Sequence, residues 1–171
     1  MSKCPEKLAG IITTATMKLA LLISKVLSAA RELKNKLFHE ALEEEYGSNA
    51  VINGEKVNIA HGVDEATLKK TPGWLENSAK PGGEGVCVVY GHRNRNHLRA
   101  LKDVEIGDTI MIETVRDNYS YTIETIRVIK TNDYFSIPTM DGVYLLLSTC
   151  FPFHYTKSAP YKCIIVAQSN P

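Results

Sequence analysis

The sequence predicts an all-β domain, a closed barrel or a sandwich of short strands, preceded by an N-terminal helix. Three observations predict it. From Gly47 onward apolar residues come in runs of strand length, some continuous and some alternating. Turn chemistry such as Asn53-Gly54, Pro72-Gly73 and Asn77–Gly85 separates these runs. Before Gly47 the pattern is helical instead.

Residues 28–46, SAARELKNKLFHEALEEEY, are rich in Ala, Leu, Glu and Lys, all good helix formers. Leu33, Leu37, Phe38 and Leu42 recur at helical spacing, and Gly47 stops the helix. Its charges read as a solvated face. Residues 8–27, LAGIITTATMKLALLISKVL, follow Lys3 and Lys7 and are mostly apolar. They admit three readings. One is a membrane-spanning signal-anchor with a basic flank. One is a cleaved signal peptide with Ser28-Ala29-Ala30 at the cut. One is an amphipathic helix that packs on the domain or lies on a membrane. Lys18 near the middle weighs against a span, since a central lysine costs about 2.5–3.5 kcal/mol on insertion. Periodicity does not choose among the three.

The strands follow in order. Val51-Ile52 and Val57–Ala60 flank the Asn53-Gly54 turn. Asp64 to Leu68 is a short helix capped by Asp64, and Pro72-Gly73 breaks the chain after it. Val86–Tyr90 is a continuous apolar strand. Asp108–Thr114 alternates, as a half-wet strand does. Tyr119–Ile129 alternates with a bulge expected near Glu124. Val143–Leu147 and Cys163–Val166 are apolar. The chain is therefore divided into residues 1–46, hydrophobic and helical, and residues 47–171, the β-rich domain.

Bulk composition names no partner. The 171 residues are 44% hydrophobic and 23% charged, with net charge +1. That balance is not a disordered chain's, and it lacks the basic excess of a nucleic-acid binder. The four cysteines, Cys4, Cys87, Cys150 and Cys163, form no CxxC and no zinc-finger spacing. No metal site is expected. Cys87 and Cys163 sit inside apolar runs and read as small buried hydrophobes.

Three polar residues lie at strand ends. His92 follows strand 86–90, Cys150 ends strand 143–149, and Lys162 opens the last strand. Strand ends of one barrel can converge on one mouth. A thiolate can attack an acyl carbon, an imidazole can move the proton, and a fixed cation can meet the developing oxyanion. Taken singly, each residue also has an ordinary reading: a surface or satisfied core histidine, a buried cysteine, a solvated lysine.

The wording around them goes further. Leu146-Leu147-Ser148-Thr149-Cys150 resembles the sortase signature TLxTC at Leu147, Thr149 and Cys150. Gly91-His92-Arg93, then Leu98–Asp103 and Ile106-Gly107-Asp108, resembles the sortase block GHR…FRxLxxLxxGD. Glu65–Gly73 resembles TLKKGPG, and Phe151-Pro152-Phe153 with Ser158-Ala159-Pro160 resembles YPF…SAP. The likeness runs in order over about residues 57–168.

The resemblance implies a closed, eight-stranded sortase-type β-barrel with short helices. It implies a surface cysteine transpeptidase of mainly Gram-positive bacteria, held at the extracellular face of the membrane by its N-terminus. The substrate would be an LPxTG-like sorting motif of a secreted protein. An amine on a cell-wall precursor or pilin subunit would resolve the thioester. No cofactor is generally required, although some members use calcium. By matching position Cys150 is the nucleophile and His92 the acid/base, with Ser148 and Thr149 beside the substrate. Lys162 stands where the family has Arg. Arg is a rigid fork of donors and Lys a flexible point charge, so the exchange is not conservative. Either Lys162 substitutes, or the protein is a catalytically impaired peptide-binding module; release of free acid, as a plain cysteine hydrolase, is a third reading. Arg93 and Arg99 also carry guanidinium groups, but the family match puts neither at that position. The short segment 131–142 and the SAP stretch look most like class D.

Overall fold

The computed structural model describes residues 6–154 and 158–170, with the side chains of residues 6–15 and 38–46 outside the description. Cys4 lies outside the described residues, and Phe38 and Leu42 are described by their backbone alone. The chain divides into two compact units with a boundary between Ala41 and Leu42.

The first unit is helical. α1 runs over Glu6–Tyr46, so the helix expected from residue 28 begins more than 20 residues earlier. Residues 8–27 are thus helix throughout. Their described large side chains, Met17, Leu19, Leu21, Leu22, Ile23, Val26 and Leu27, are all exposed. Lys18 and Lys25 interrupt that apolar surface, and no helix among the described residues is long and apolar enough to cross a membrane.

The second unit holds eight strands. They are β1 Ser48–Ile52, β2 Glu55–His61, β3 Gly73–Trp74, β4 Gly85–Tyr90, β5 Thr109–Thr114, β6 Asn118–Lys130, β7 Val143–Phe151 and β8 Tyr161–Ser169. They close into a barrel in the order β1-β2-β3-β4-β7-β8-β6-β5, with β5 pairing back onto β1. β2 pairs with β3, and β4 with β7, in parallel; the other neighbours are antiparallel.

Local chemistry explains most of these bounds. Asn53 and Gly54 both take positive φ, 50° and 79°, which the tight β1–β2 turn requires and which Asn and Gly tolerate. β6 bulges between Ile123 and Thr125, so the strand can bend as it passes from β5 to β8. The first turn of α2, Glu65–Leu68, is held by Asp64: its Oδ1 accepts from Ala66 N (2.8 Å) and Thr67 N (3.1 Å), and its Oδ2 from Thr67 Oγ1 (2.6 Å). These bonds, the Thr67 hydroxyl foremost, hold the Asp64 carboxyl below its ordinary pKa. Asp64→Ala is expected to cost about 1 kcal/mol of stability. Chemical denaturation checks this; an unchanged midpoint would show that the cap contributes nothing.

Alternation sorts the side chains of β4, β7 and β8 between two faces. Cys87, Val89, Leu145, Leu147, Cys163, Ile165 and Ala167 fill the barrel interior with Ile110, Ile112, Tyr121 and Ile123. Val86, Val88, Tyr144, Leu146, Ile164 and Val166 face outward. Leu75, Ile129, Phe135 and Met140 pack over that outer patch. Phe135 and Met140 come from the 131–142 segment, which contains no helix. This outer face carries the candidate site.

Candidate functional site

β7 runs two residues further than the expected strand 143–149, through Cys150 to Phe151. Cys150 is therefore inside a ladder, directly opposite Lys162 of β8. The pairs before it, Leu146↔Val166 and Ser148↔Ile164, belong to the outer face. By alternation Cys150 and Lys162 lie on that face too, past the end of the apolar patch. Both are partly exposed. Directly opposed residues of an antiparallel pair have Cα atoms about 4.5–5.5 Å apart, well within the reach of a lysine.

The backbone of His92 reaches the end of β7 from that strand's other side. The parallel β4–β7 ladder ends at Tyr90↔Ser148, and Gly91 N extends it by donating to Ser148 O (3.1 Å). His92 and Cys150 each lie two residues past that last rung. Cys150 and Lys162 thus sit opposite one another on adjacent strands, and exposed His92 lies in the loop just past the end of β4, the strand on the other flank of β7.

The turn after β4 is built to hold His92. Gly91 has no room for a side chain: a Cβ there would meet Leu98 Cγ at 2.8 Å and Pro72 Cβ at 3.2 Å. Leu98, fully buried, folds back over Gly91. Leu98 N donates to His92 O (2.9 Å), and His92 N donates to His97 Nδ1 (3.2 Å). The His92 and His97 rings lie 4.9 Å apart at 57°. His97 is 1% exposed. Its pKa is pushed down, first by burial and then by the neighbouring His92 charge. Sequence reasoning missed His97, because a histidine in a polar loop carries no sign of burial.

Ser148 and Thr149, expected beside the substrate, are both buried, at 5% and 4% exposure. They face opposite ways. Ser148 shares the outer face with Cys150. Thr149 pairs with Cys163 and alternates inward, where its Oγ1 has no hydrogen-bond partner. Arg93 is partly buried and Arg99 is exposed. No group of three or more His, Cys, Asp or Glu that could hold a metal occurs among the described residues.

Thiol environment separates the three described cysteines, which are all free. Burial pushes Cys87 up to about 12 and raises Cys163 as well. Cys150 is half open. Native treatment with iodoacetamide should label Cys150 at least about 100-fold faster than Cys87 or Cys163, since the thiolate is the reactive species. Peptide mapping reads the ratio. Comparable labelling of Cys87 would contradict the fold as described.

Comparison with known proteins adds the following. The family model for the sortase domain matches residues 50–170, more than half of the chain. Sortase D of Bacillus subtilis (strain 168) is 32% identical over 116 residues. That match covers 67% of this chain and 57% of the relative, so the chain spans little more than half of that protein. Among solved structures, Sortase C2 of Group B Streptococcus Pilus Island 1 superposes with TM-score 0.67 at 22% identity, over 76% of this chain and 77% of that one. A lid mutant of Sortase A from Corynebacterium diphtheriae gives TM-score 0.65 at 23% identity, over 78% and 77%. At these identities the structures speak for the fold: a closed eight-stranded barrel.

Proposed function

Since the chain belongs to the sortase family and leans toward its class D members, we propose that it is a cysteine transpeptidase acting on sorting motifs of the LPxTG kind. Residues 47–171 are the catalytic domain in this reading, and residues 1–46 a stalk. The observation that supports it is the opposition of Cys150 and Lys162 in the β7–β8 ladder, with His92 just past the end of β4 on the other side of β7.

The chemistry runs in two halves. The Cys150 thiolate attacks the carbonyl carbon of the motif's Thr, and the oxyanion that forms meets the Lys162 ammonium. The C–N bond breaks, the leaving amine takes a proton from the His92 imidazolium, and a thioester remains on Cys150. An amine acceptor then attacks the thioester and gives its proton to His92. The new amide forms and the Cys150 thiolate leaves. Ser148 shares the face of Cys150 and is the proposed side-chain neighbour of the substrate. Thr149, facing inward, takes part through the strand that carries Cys150.

The proposed partners are the sorting-motif peptide of a secreted protein and an amine of a peptidoglycan precursor or a pilin. The proposed location is the extracellular face of the bacterial membrane. There residues 8–27, with the exposed apolar side chains from Met17 to Leu27 and with Lys18 and Lys25 among them, make the membrane contact.

A quenched fluorogenic sorting peptide tests the function. Turnover that yields an amine-transfer product when an amine is added supports it. Turnover that yields free acid alone, with and without amine, would make the protein a hydrolase. A second reading rests on Lys162: a sortase-like module that binds the peptide without cleaving it. Retained peptide binding with no turnover by the wild type or Lys162→Arg would favour that reading.

A further inference from the structure

We infer that His97 is the positioning residue of the site, fixing the backbone of His92 through its Nδ1 and so setting where the His92 imidazole stands relative to Cys150. The inference rests on the reading of His92 as the acid/base.

Both polar backbone atoms of His92 are used by the residues that end its own turn. The N–H goes to the His97 side chain (3.2 Å), and the C=O accepts from the next residue, Leu98 (2.9 Å). His97 is itself fixed. Its own N–H donates to Asn94 O (3.1 Å), its ring is 1% exposed, and Leu98 beside it is fully buried against Gly91. The anchor is therefore rigid and the side chain it positions is exposed, as a mobile acid/base group on a rigid support should be. A buried imidazole also needs a partner for its polar atoms, and the His92 N–H supplies one.

The tautomer follows from the bond. Nδ1 accepts a hydrogen bond, so in the neutral ring the proton is on Nε2. A protonated ring would have no lone pair for the His92 N–H. Burial and the nearby His92 both disfavour that protonated form. The same contact works in reverse: an imidazolium at His92, the state needed to protonate the leaving amine, has a neutral His97 ring centred 4.9 Å away and not a second imidazolium.

The test compares three variants of the full chain. His97→Asn keeps an acceptor at the place of Nδ1, because Asn Oδ1 is nearly isosteric with it. His97→Gln keeps polarity but moves its amide to the place of Nε2. His97→Leu removes the acceptor. Loss of the anchor should lower kcat about ten- to a hundredfold in His97→Leu and His97→Gln, with KM changed less than about twofold. His97→Asn should recover most of that loss. Hydrogen exchange at the His92 amide gives a readout independent of catalysis: faster in His97→Leu and His97→Gln, protected in His97→Asn. The Asn and Gln pair decides the matter if His97→Leu does not fold. Equal kcat and equal His92 protection in His97→Asn and His97→Gln would overturn the inference. His92→Ala runs beside them: full turnover there would sink the acid/base reading, whereas the exchange result would still tell whether His97 holds His92 in place.

Discussion

Cys150→Ala is expected to form no acyl adduct with any sorting peptide, and His92→Ala to lose about 10²–10⁴-fold in kcat. These are the largest effects expected of single substitutions in this chain. They follow from the different parts the two residues play. No other described cysteine can take over as nucleophile: Cys163 faces the interior, and burial holds the Cys87 thiol at about 12. In the proposed mechanism His92 moves protons in both halves of the reaction, so its removal should slow formation and breakdown of the thioester alike. Both variants should keep the wild-type melting temperature closely, since neither side chain belongs to the core. Steady-state kinetics with an amine acceptor checks this. A His92→Ala protein with kcat within about twofold of wild type would contradict the role given to His92.

Lys162→Arg should raise kcat/KM by about tenfold, and Lys162→Ala should lower it by about 10²–10³-fold. Position 162 faces Cys150 across the β7–β8 ladder, and in the proposed mechanism a cation there meets the forming oxyanion. Lysine supplies the charge as a point on a flexible stem. Arginine supplies a planar fork that loses less freedom for each hydrogen bond it makes. The gain expected is therefore smaller than the loss on removing the charge. If Lys162→Arg were slower than wild type, the surroundings of position 162 would be fitted to lysine, and the view of an enzyme slowed by its lysine would fail. If Lys162→Ala matched wild type, the oxyanion would be stabilised elsewhere.

Much of this was legible in the sequence where chemistry is local. Asn53-Gly54 could only be a tight turn, Asp64 could only be useful as a cap, and the bulge near Glu124 followed from a break in alternation. Ordered motifs around His92 and Cys150 pointed to a family that the family match then bore out, with its closed barrel. Other features depend on distant pairing. β3 is two residues long and held by a parallel partner, so Pro72-Gly73 read only as a break. Residues 8–27 were open to helical readings, but that they join residues 28–46 in one continuous helix was not legible in the periodicity. The opposition of Cys150 and Lys162 is a register between two strands, which the composition of neither one states. His97 was missed for a related reason. Its burial depends on Leu98 folding over Gly91, which no spacing announces.

The most direct test of the central claim is intact-mass spectrometry of the protein after incubation with an LPxTG-type peptide and an amine. The expected result is an acyl adduct on Cys150 that is absent in Cys150→Ala, more abundant in Lys162→Arg and discharged to an amide by the amine. No adduct on either the wild type or Lys162→Arg, across a library of sorting motifs, would contradict the transpeptidase assignment and leave a peptide-binding barrel.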